Sequence, residues 1–371
     1  MEVKNQLVIG IVGAGGFAAF AARAFLKLEG ISIKGITDIH RSLAAELAEE
    51  VNAEVYPDYP GLLKDESIDL IYIATPPYLH YAQSKDALNA GKHVICEKPA
   101  ALHTVEAEGL ADYARSRDLL YSVNLMQRYN PLYLLVKNLI DQKWLGDFLH
   151  GFFENYASDE KLVPNHWFWD IEKSGGIFIE HGVHFFDMFR GWFGEGKVVH
   201  ALEIERAGIK EKVTDQVQAI VLYNNCPVNF YHGFNQPKVL DRQELRLQFD
   251  RGDITLYEWI PVKIRLHGLL TSGQIKDIKQ LLPDATIEIH SENAGQTVRG
   301  KFRDITYDAL VTVTYGDIAD KMDRYEQLVI SMIKDQWNWI LDRDHRRVID
   351  DTNAVESLRV AEEATLLAAV V

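Results

Sequence analysis

Cysteine is scarce, with only Cys96 and Cys226 in 371 residues. Neither sits in a CxxC or other metal-ligand spacing, and two thiols cannot staple a chain this long. A disulfide scaffold is thereby excluded, and a reducing cytoplasm fits best. Positive charge is also short: 39 Lys and Arg against 54 Asp and Glu leave a formal net charge of −15. An acidic surface repels phosphate backbones and anionic lipid, which argues against nucleic acid and membrane surfaces as partners. Long apolar runs are missing too. The uncharged stretch 7–22 falls short of the ~20 residues of a membrane span and is broken by Gly10, Gly13, Gly15 and Gly16. Glu2 offsets Lys4 ahead of it, so it reads as a buried strand running into a helix and not as a leader. There is no low-complexity tract and no short-period repeat. What remains, 47% hydrophobic and 25% charged, is an ordinary globular composition long enough for about two domains.

The first third alternates strand and helix. Apolar runs at 7–12, 31–37, 70–74, 93–96 and 119–123 read as strands, and 18–28, 41–51, 81–90 and 105–115 have helical spacing. Pro76-Pro77 stops the third strand, and Gly91 ends a helix as a C-terminal glycine does. Such a series predicts a parallel sheet with helices on both faces. Beyond residue 124 the character changes. Strands at 148–156, 198–206, 217–223, 228–234 and 245–249 are separated by turn residues such as Asn224-Asn225 and Arg251-Gly252, which predicts an antiparallel sheet. Helices at 324–341 and 353–369 close the chain.

Gly13-Ala14-Gly15-Gly16-Phe17-Ala18 follows a strand and opens a helix, the G-x-G-x-x-A form of a dinucleotide turn. Gly13 allows the tight turn, Gly15 admits a pyrophosphate to the backbone, and Ala18 is small enough for close helix–strand packing. The pyrophosphate is expected on the N–H groups of the helix N-terminus, beside Gly16 and Phe17. Asp38, at the end of the second strand, is placed to hydrogen-bond an adenosine ribose 2′-hydroxyl and would repel a 2′-phosphate. NAD is therefore favoured, with NADP left open by His40 and Arg41. The fold class is α/β: an N-terminal Rossmann doubly wound parallel sheet and a C-terminal α+β domain built on a mostly antiparallel open sheet. The division falls at 1–123, for the dinucleotide, and 124–371, for substrate and oligomerisation, with the last helix free to pack back on the first domain.

The segment Ala74-Thr75-Pro76-Pro77-Tyr78-Leu79-His80, followed by Gly91-Lys92-His93-Val94-Ile95-Cys96-Glu97-Lys98-Pro99, is distinctive. Together with the glycine turn it resembles the glucose–fructose oxidoreductase, inositol dehydrogenase and rhizopine-catabolism family (Gfo/Idh/MocA). The likeness continues through 124–131 and Ser174-Gly175-Gly176, up to Asp187. The resemblance implies that Thr75, Pro76, His80, Glu97 and Lys98 line the cofactor site, with Lys98 near the nicotinamide and the substrate hydroxyl. Physically, a rigid or cis-like Lys98-Pro99 turn would hold Lys98 at the carboxyl edge of a parallel strand. An oxidised nicotinamide is positive, and its field should make a neutral Lys98 amine more accessible. Taken alone, Lys98 reads better as a surface lysine after a strand; the intact segment around it tips the reading to function.

Spacings of four and three put Glu180, His184 and Asp187 on one helical face. The family stretch usually reads D-x-x-x-H, so the resemblance makes His184 the proton acceptor, with Glu180 and Lys98 holding substrate and tuning charge. Glu180 carries one methylene more than the customary Asp. Two other readings stay open: a hydrogen-bonded core histidine among Phe185, Phe186 and Phe189, or a divalent-metal face with His181 nearby. No further ligand cluster accompanies it, and no metal is expected. Trp167, within Asn165-His166-Trp167-Phe168-Trp169-Asp170, offers an aromatic face to a sugar ring or belongs to the core. Arg128 contacts substrate or pairs with a carboxylate. The resulting expectation is an NAD(P)-dependent oxidoreductase acting on a hydroxyl carbon of a sugar, cyclitol or polyol, paired through its C-terminal sheet as a homodimer or homotetramer. Redox-neutral bond cleavage by transient oxidation and non-catalytic dinucleotide sensing are the alternatives.

Overall fold

The computed structural model describes residues 6–208 and 212–370; Glu2 and Lys4 lie outside the described residues. In chain order, β1 (Leu7–Val12), α1 (Gly16–Phe25), β2 (Ile31–Thr37), α2 (Arg41–Val51), β3 (Glu54–Val55) and α3 (Tyr59–Lys64) come first. They are followed by β4 (Leu70–Ile73), α4 (His80–Asn89), β5 (His93–Cys96), α5 (Thr104–Ser116) and β6 (Tyr121–Val123). Next come α6 (Pro131–Asp141), β7 (Phe148–Ser158), α7 (Ile171–Ser174), a π turn at Phe178–Gly182 and α8 (Val183–Phe193). Strands β8 (Gly196–Glu205), β9 (Thr214–Tyr223), β10 (Cys226–Gln236), β11 (Arg242–Phe249), β12 (Gly252–Tyr257) and β13 (Lys263–Leu270) continue the chain. It ends with α9 (Ser272–Leu281), β14 (Thr286–Gly300), β15 (Arg303–Tyr315), α10 (Lys321–Leu341), α11 (Asp351–Leu367) and β16 (Ala369–Val370).

Six parallel strands form the first sheet in the order β3-β2-β1-β4-β5-β6. Its central strands are continuously apolar because helices cover both faces; every residue of β4 is buried. The strand order reverses between β1 and β4, which pair from Ile9–Leu70 to Val12–Ile73. The carboxyl ends of the strands at such a reversal are the usual ligand edge of an open α/β sheet. The short β3 and α3 went unread in the sequence because two residues of strand and six of helix are too brief for periodicity to register.

The second sheet has ten strands, in the order β14-β15-β13-β12-β11-β7-β10-β9-β8-β16. It is antiparallel except where β7 meets β10 and β8 meets β16. Asn224 and Asn225 both take positive φ, 49° and 65°, and close the β9–β10 hairpin with Tyr223 opposite Cys226. One face is strictly alternate along β9, burying Asp215, Val217, Ala219, Val221 and Tyr223. On that face Phe189 meets Phe230 at 5.0 Å and Tyr223 at 5.7 Å.

Compactness groups the chain into two units. One holds residues up to Tyr129 with Asn165–Asp187 and Tyr325–Leu366; the other holds Asn130–Pro164, Met188–Arg324 and the C-terminal residues from Leu367. The division at 123/124 follows strand type along the chain, whereas compactness also counts returning segments. In the first unit α11 reaches α5, where Thr104 N and Oγ1 donate to Glu362. No helix among the described residues is long and apolar enough to cross a membrane, and Cys96 and Cys226 are free.

Candidate active site

Three residues reverse the chain between β1 and α1. Gly13 takes φ +91°, and a Cβ there would stand 2.5 Å from the Ala74 carbonyl oxygen, so conformation and space both demand glycine. At Gly15 and Gly16 a Cβ would meet nothing within 4 Å, which leaves the approach to the helix open. Gly15 is the N-cap of α1; no side chain caps the helix and its first turn has no acidic residue. The N-terminal N–H groups and the positive end of the helix dipole are thus left without a side-chain cap, which suits an anion. Asp38 follows β2 and accepts from Ala14 N and His40 N, both at 2.7 Å. Each carboxylate oxygen retains a second lone pair for a ligand hydroxyl. Gly13, Gly15, Gly16, Phe17 and Asp38 therefore surround one turn, and their chemistry fits a dinucleotide.

The loop after β4 lies alongside. Thr75 Oγ1 donates to Gln83 Oε1 at 2.6 Å. Buried His80 has Nδ1 at 2.6 Å from the Pro99 carbonyl oxygen and Nε2 at 2.7 Å from that of Thr75. Burial pushes its pKa down while these carbonyls pull it up. His80 thus ties the loops after β4 and β5 together from behind, with both ring nitrogens occupied.

The Lys98–Pro99 peptide bond is cis. Just before it, the Glu97 carboxylate turns inward, accepting from Tyr72 OH and, at 2.9 Å, from Asn124 Nδ2. Burial pushes the Glu97 pKa up to about 7, against the pull of these two donors. Tyr325, from α10, packs on Phe20 at 4.8 Å and Phe17 at 5.7 Å, and its phenol is pushed well above its usual range by burial and the Glu97 charge. Lys98 is no loose surface lysine. Its Nζ donates to Glu180 Oε1 at 2.5 Å and to the Glu180 carbonyl oxygen at 2.6 Å, and the side chains are 18% and 14% exposed. Of three ammonium N–H donors, these contacts use two.

Glu180 lies within the π turn and not on a regular α-helix, so wider i→i+5 geometry, not the fourfold spacing, decides where its carboxylate goes. His184, in the first turn of α8, is buried; its pKa is pushed down to about 3, chiefly by burial and further by the Lys98 charge. The imidazole is therefore neutral across the ordinary pH range. Asp187, one turn on, is fully buried. It accepts from Arg128 Nε at 2.7 Å, Arg128 Nη2 at 2.8 Å and Asn353 Nδ2 at 2.9 Å. Its oxygens are thereby engaged, and among the described residues no group of three or more His, Cys, Asp or Glu could hold a metal ion. His181 is half-buried with its ring 5.3 Å from Phe185, and Trp167, also half-buried, stands 5.2 Å from the His166 ring. Lys98, Glu180 and His184 come together; Arg128 is turned onto Asp187.

Sequence reading missed Tyr72, Gln83, Asn124, Tyr325 and Asn353. Asn124 opens the 124–131 stretch without a role being read from it, and the other four belong to no motif. Pairing of β4, β5 and β6 brings Tyr72 and Asn124 to Glu97, while α10 delivers Tyr325 to Phe17 and Phe20, and α11 delivers Asn353 to Asp187 across 166 positions.

A family model described as oxidoreductase family, NAD-binding Rossmann fold, matches residues 7–125. A second, the GFO/IDH/MocA C-terminal domain, matches residues 133–255. The chain is 29% identical over 189 residues to the uncharacterized oxidoreductase YrbE of Bacillus subtilis, covering 51% of this chain and 54% of that one. It is 31% identical over 212 residues to levoglucosan dehydrogenase of Pseudarthrobacter phenanthrenivorans, covering 53% and 54% respectively. The chain thus spans about half the length of these curated relatives. A 3-ketoreductase from Actinomadura kijaniata in complex with NADP and TDP-benzene matches with a TM-score of 0.76 over 99% of both chains, at 17% identity, a likeness of fold alone.

Proposed function

The chain belongs to the Gfo/Idh/MocA oxidoreductase family, and from that premise we propose that it is an NAD(P)-dependent oxidoreductase acting on a hydroxyl carbon of a sugar, cyclitol or related polyol. The observation that carries this reading is the meeting of Lys98, Glu180 and His184 in the unit that also holds the glycine turn. The substrate in the name of the levoglucosan dehydrogenase relative supports it.

Gly13, Gly15, Gly16 and Phe17 would hold a pyrophosphate on backbone N–H groups, and Asp38 the adenosine ribose. Thr75, Pro76 and Lys98 frame the ligand edge, with His80 and Glu97 supporting them from behind. A carboxylate pinned by two backbone N–H groups accepts a ribose hydroxyl and repels a 2′-phosphate, so NAD is preferred; His40 and Arg41 keep NADP open. When bound, the nicotinamide supplies the hydride acceptor.

The chain's own residues move the proton. His184, kept neutral by burial, accepts it from the substrate hydroxyl. Lys98 donates an N–H to the same oxygen and stabilises the negative charge that grows there. That growing charge also offsets the field of Lys98 at His184, so the imidazole becomes more basic as the proton leaves. Glu180 fixes Lys98 Nζ by its carboxylate and carbonyl together. Half-buried Trp167 and His181 are read as substrate contacts. Arg128 acts behind them, through Asp187.

The outer face of the ten-stranded sheet, where Arg242 lies 4.6 Å over Tyr156 and Arg246 5.4 Å over Phe152, is read as pairing subunits into a homodimer or homotetramer. Free Cys96 and Cys226 fit a reducing cytoplasm.

The test is the reduced-nicotinamide absorbance band of the purified protein with NAD⁺ and a panel of sugars and cyclitols. Growth with one substrate is expected. Lys98→Met should lower kcat by at least about a hundredfold, while calorimetry shows NAD⁺ affinity retained. His184→Ala should behave likewise. NAD⁺ binding without band growth on any polyol would sink the dehydrogenase reading, and product analysis would then test bond cleavage.

A further inference from the structure

The segment from Glu180 to Asp187 is clamped at both ends. A π turn accommodates one residue more than an α turn, and here it runs directly into α8, the direction in which that residue would be passed along. Passing it by one position turns each side chain it crosses by about 100° around the axis. His184 would then leave Lys98. At the start of the segment Lys98 grips both the carbonyl and the carboxylate of Glu180. At its end Arg128 forks onto Asp187 with two N–H bonds, while Asn353 donates a third.

We propose that Arg128 and Asn353 are positioning residues that act through Asp187 to hold the rotational setting of α8 in which His184 stands beside Lys98. Asp187 lies one helical turn beyond His184, so whatever fixes its angle about the axis also fixes that of the imidazole. A two-pronged fork sets angle as well as distance, which a single hydrogen bond does not. Arg128 lies in the turn Met126–Tyr129 after β6, and Asn353 lies in α11, so the clasp joins the Asp187 end of the first turn of α8 to two separate elements of the same unit. An ion pair whose carboxylate is fully buried is poor evidence of stabilisation, since desolvation offsets the attraction; its plain use here is alignment. This rests on His184 being the proton acceptor, and its test is chosen to stand apart from turnover.

Arg128→Lys keeps the charge and loses the fork. Histidine-labelled protein is followed by NMR, with the His184 imidazole signal identified by its disappearance in His184→Ala. The His184 signal is expected to shift in Arg128→Lys while those of exposed His103 and remote His93 stay in place. With a substrate in hand, kcat should fall by about tenfold or more at unchanged KM for NAD⁺, the signature of misalignment. An unmoved His184 signal in folded Arg128→Lys overturns the proposal, whether or not the wild-type protein oxidises a polyol. Absence of wild-type turnover alongside a shifted signal would instead overturn the dehydrogenase reading. Should Arg128→Lys fail to fold, Asn353→Ser removes one bond without stranding a charge, and the same shift is required of it.

Discussion

Glu97 and Lys98 are neighbours in the chain with opposite surroundings. Lys98 meets a carboxylate and a carbonyl, whereas Glu97 turns onto two neutral donors in a buried corner. Burial raises the Glu97 pKa from 4.5 to about 7. A raised folded pKa means that the folded protein binds this proton more tightly than the unfolded chain. The contribution is full below about pH 4.5 and is lost as pH rises through 7, a change of up to about 3 kcal/mol. His184 runs the other way: its depressed pKa stabilises the fold above 6.5 and loses that effect as pH falls toward 3. Glu97→Gln should therefore cost more unfolding free energy, relative to wild type, at pH 5 than at pH 8, because it removes the contribution that opposes the histidines in this window, as measured by urea titration. Parallel pH curves for variant and wild type would contradict the buried-carboxyl assignment.

At the scale of elements, the glycine turn separates two roles that sequence treats alike. Gly13 serves the fold, because a Cβ would collide with the Ala74 carbonyl and φ is positive. Gly15 and Gly16 have open space and ordinary φ, so their lack of a side chain serves a ligand. Gly13→Ala is expected to destabilise by about 2 kcal/mol or more. Gly15→Ala should change stability by less than about 1 kcal/mol yet weaken NAD⁺ binding severely. Calorimetric affinity and denaturant midpoints on both variants decide it; intact NAD⁺ affinity in Gly15→Ala would remove the pyrophosphate from this turn. The strands β1, β2 and β5 were legible to the residue because each is a short apolar run bounded by polar or turn residues. The π turn was not, since Glu180, His184 and Asp187 keep helical spacing whether or not an extra residue is absorbed between them.

For the whole molecule, the two compact units predict localised protection. NAD⁺ at 100 times its Kd stabilises what binds it by about 2.7 kcal/mol. Amides of β1, β4 and β5 that exchange only when their unit opens should slow by about a hundredfold. Amides in β12 to β15 should be unaffected. Equal slowing in both units, followed by hydrogen exchange and mass spectrometry, would contradict confinement of the dinucleotide to the first.

Local chemistry determined much of this protein from sequence alone. The apolar runs, the turn glycines, Asp38 at a strand end and the segment Glu97-Lys98-Pro99 act over a few residues, where conformation follows from residue type and spacing. The antiparallel strands of the second half were announced by Asn224-Asn225 and Arg251-Gly252. Only the tertiary structure decided that Lys98 meets Glu180 across 82 positions, that Arg128 is turned onto Asp187, and that Tyr325 and Asn353 return to the first unit. Those pairings depend on which distant elements share a buried corner. No periodicity encodes that, because a buried charge takes whatever partner packing places within reach.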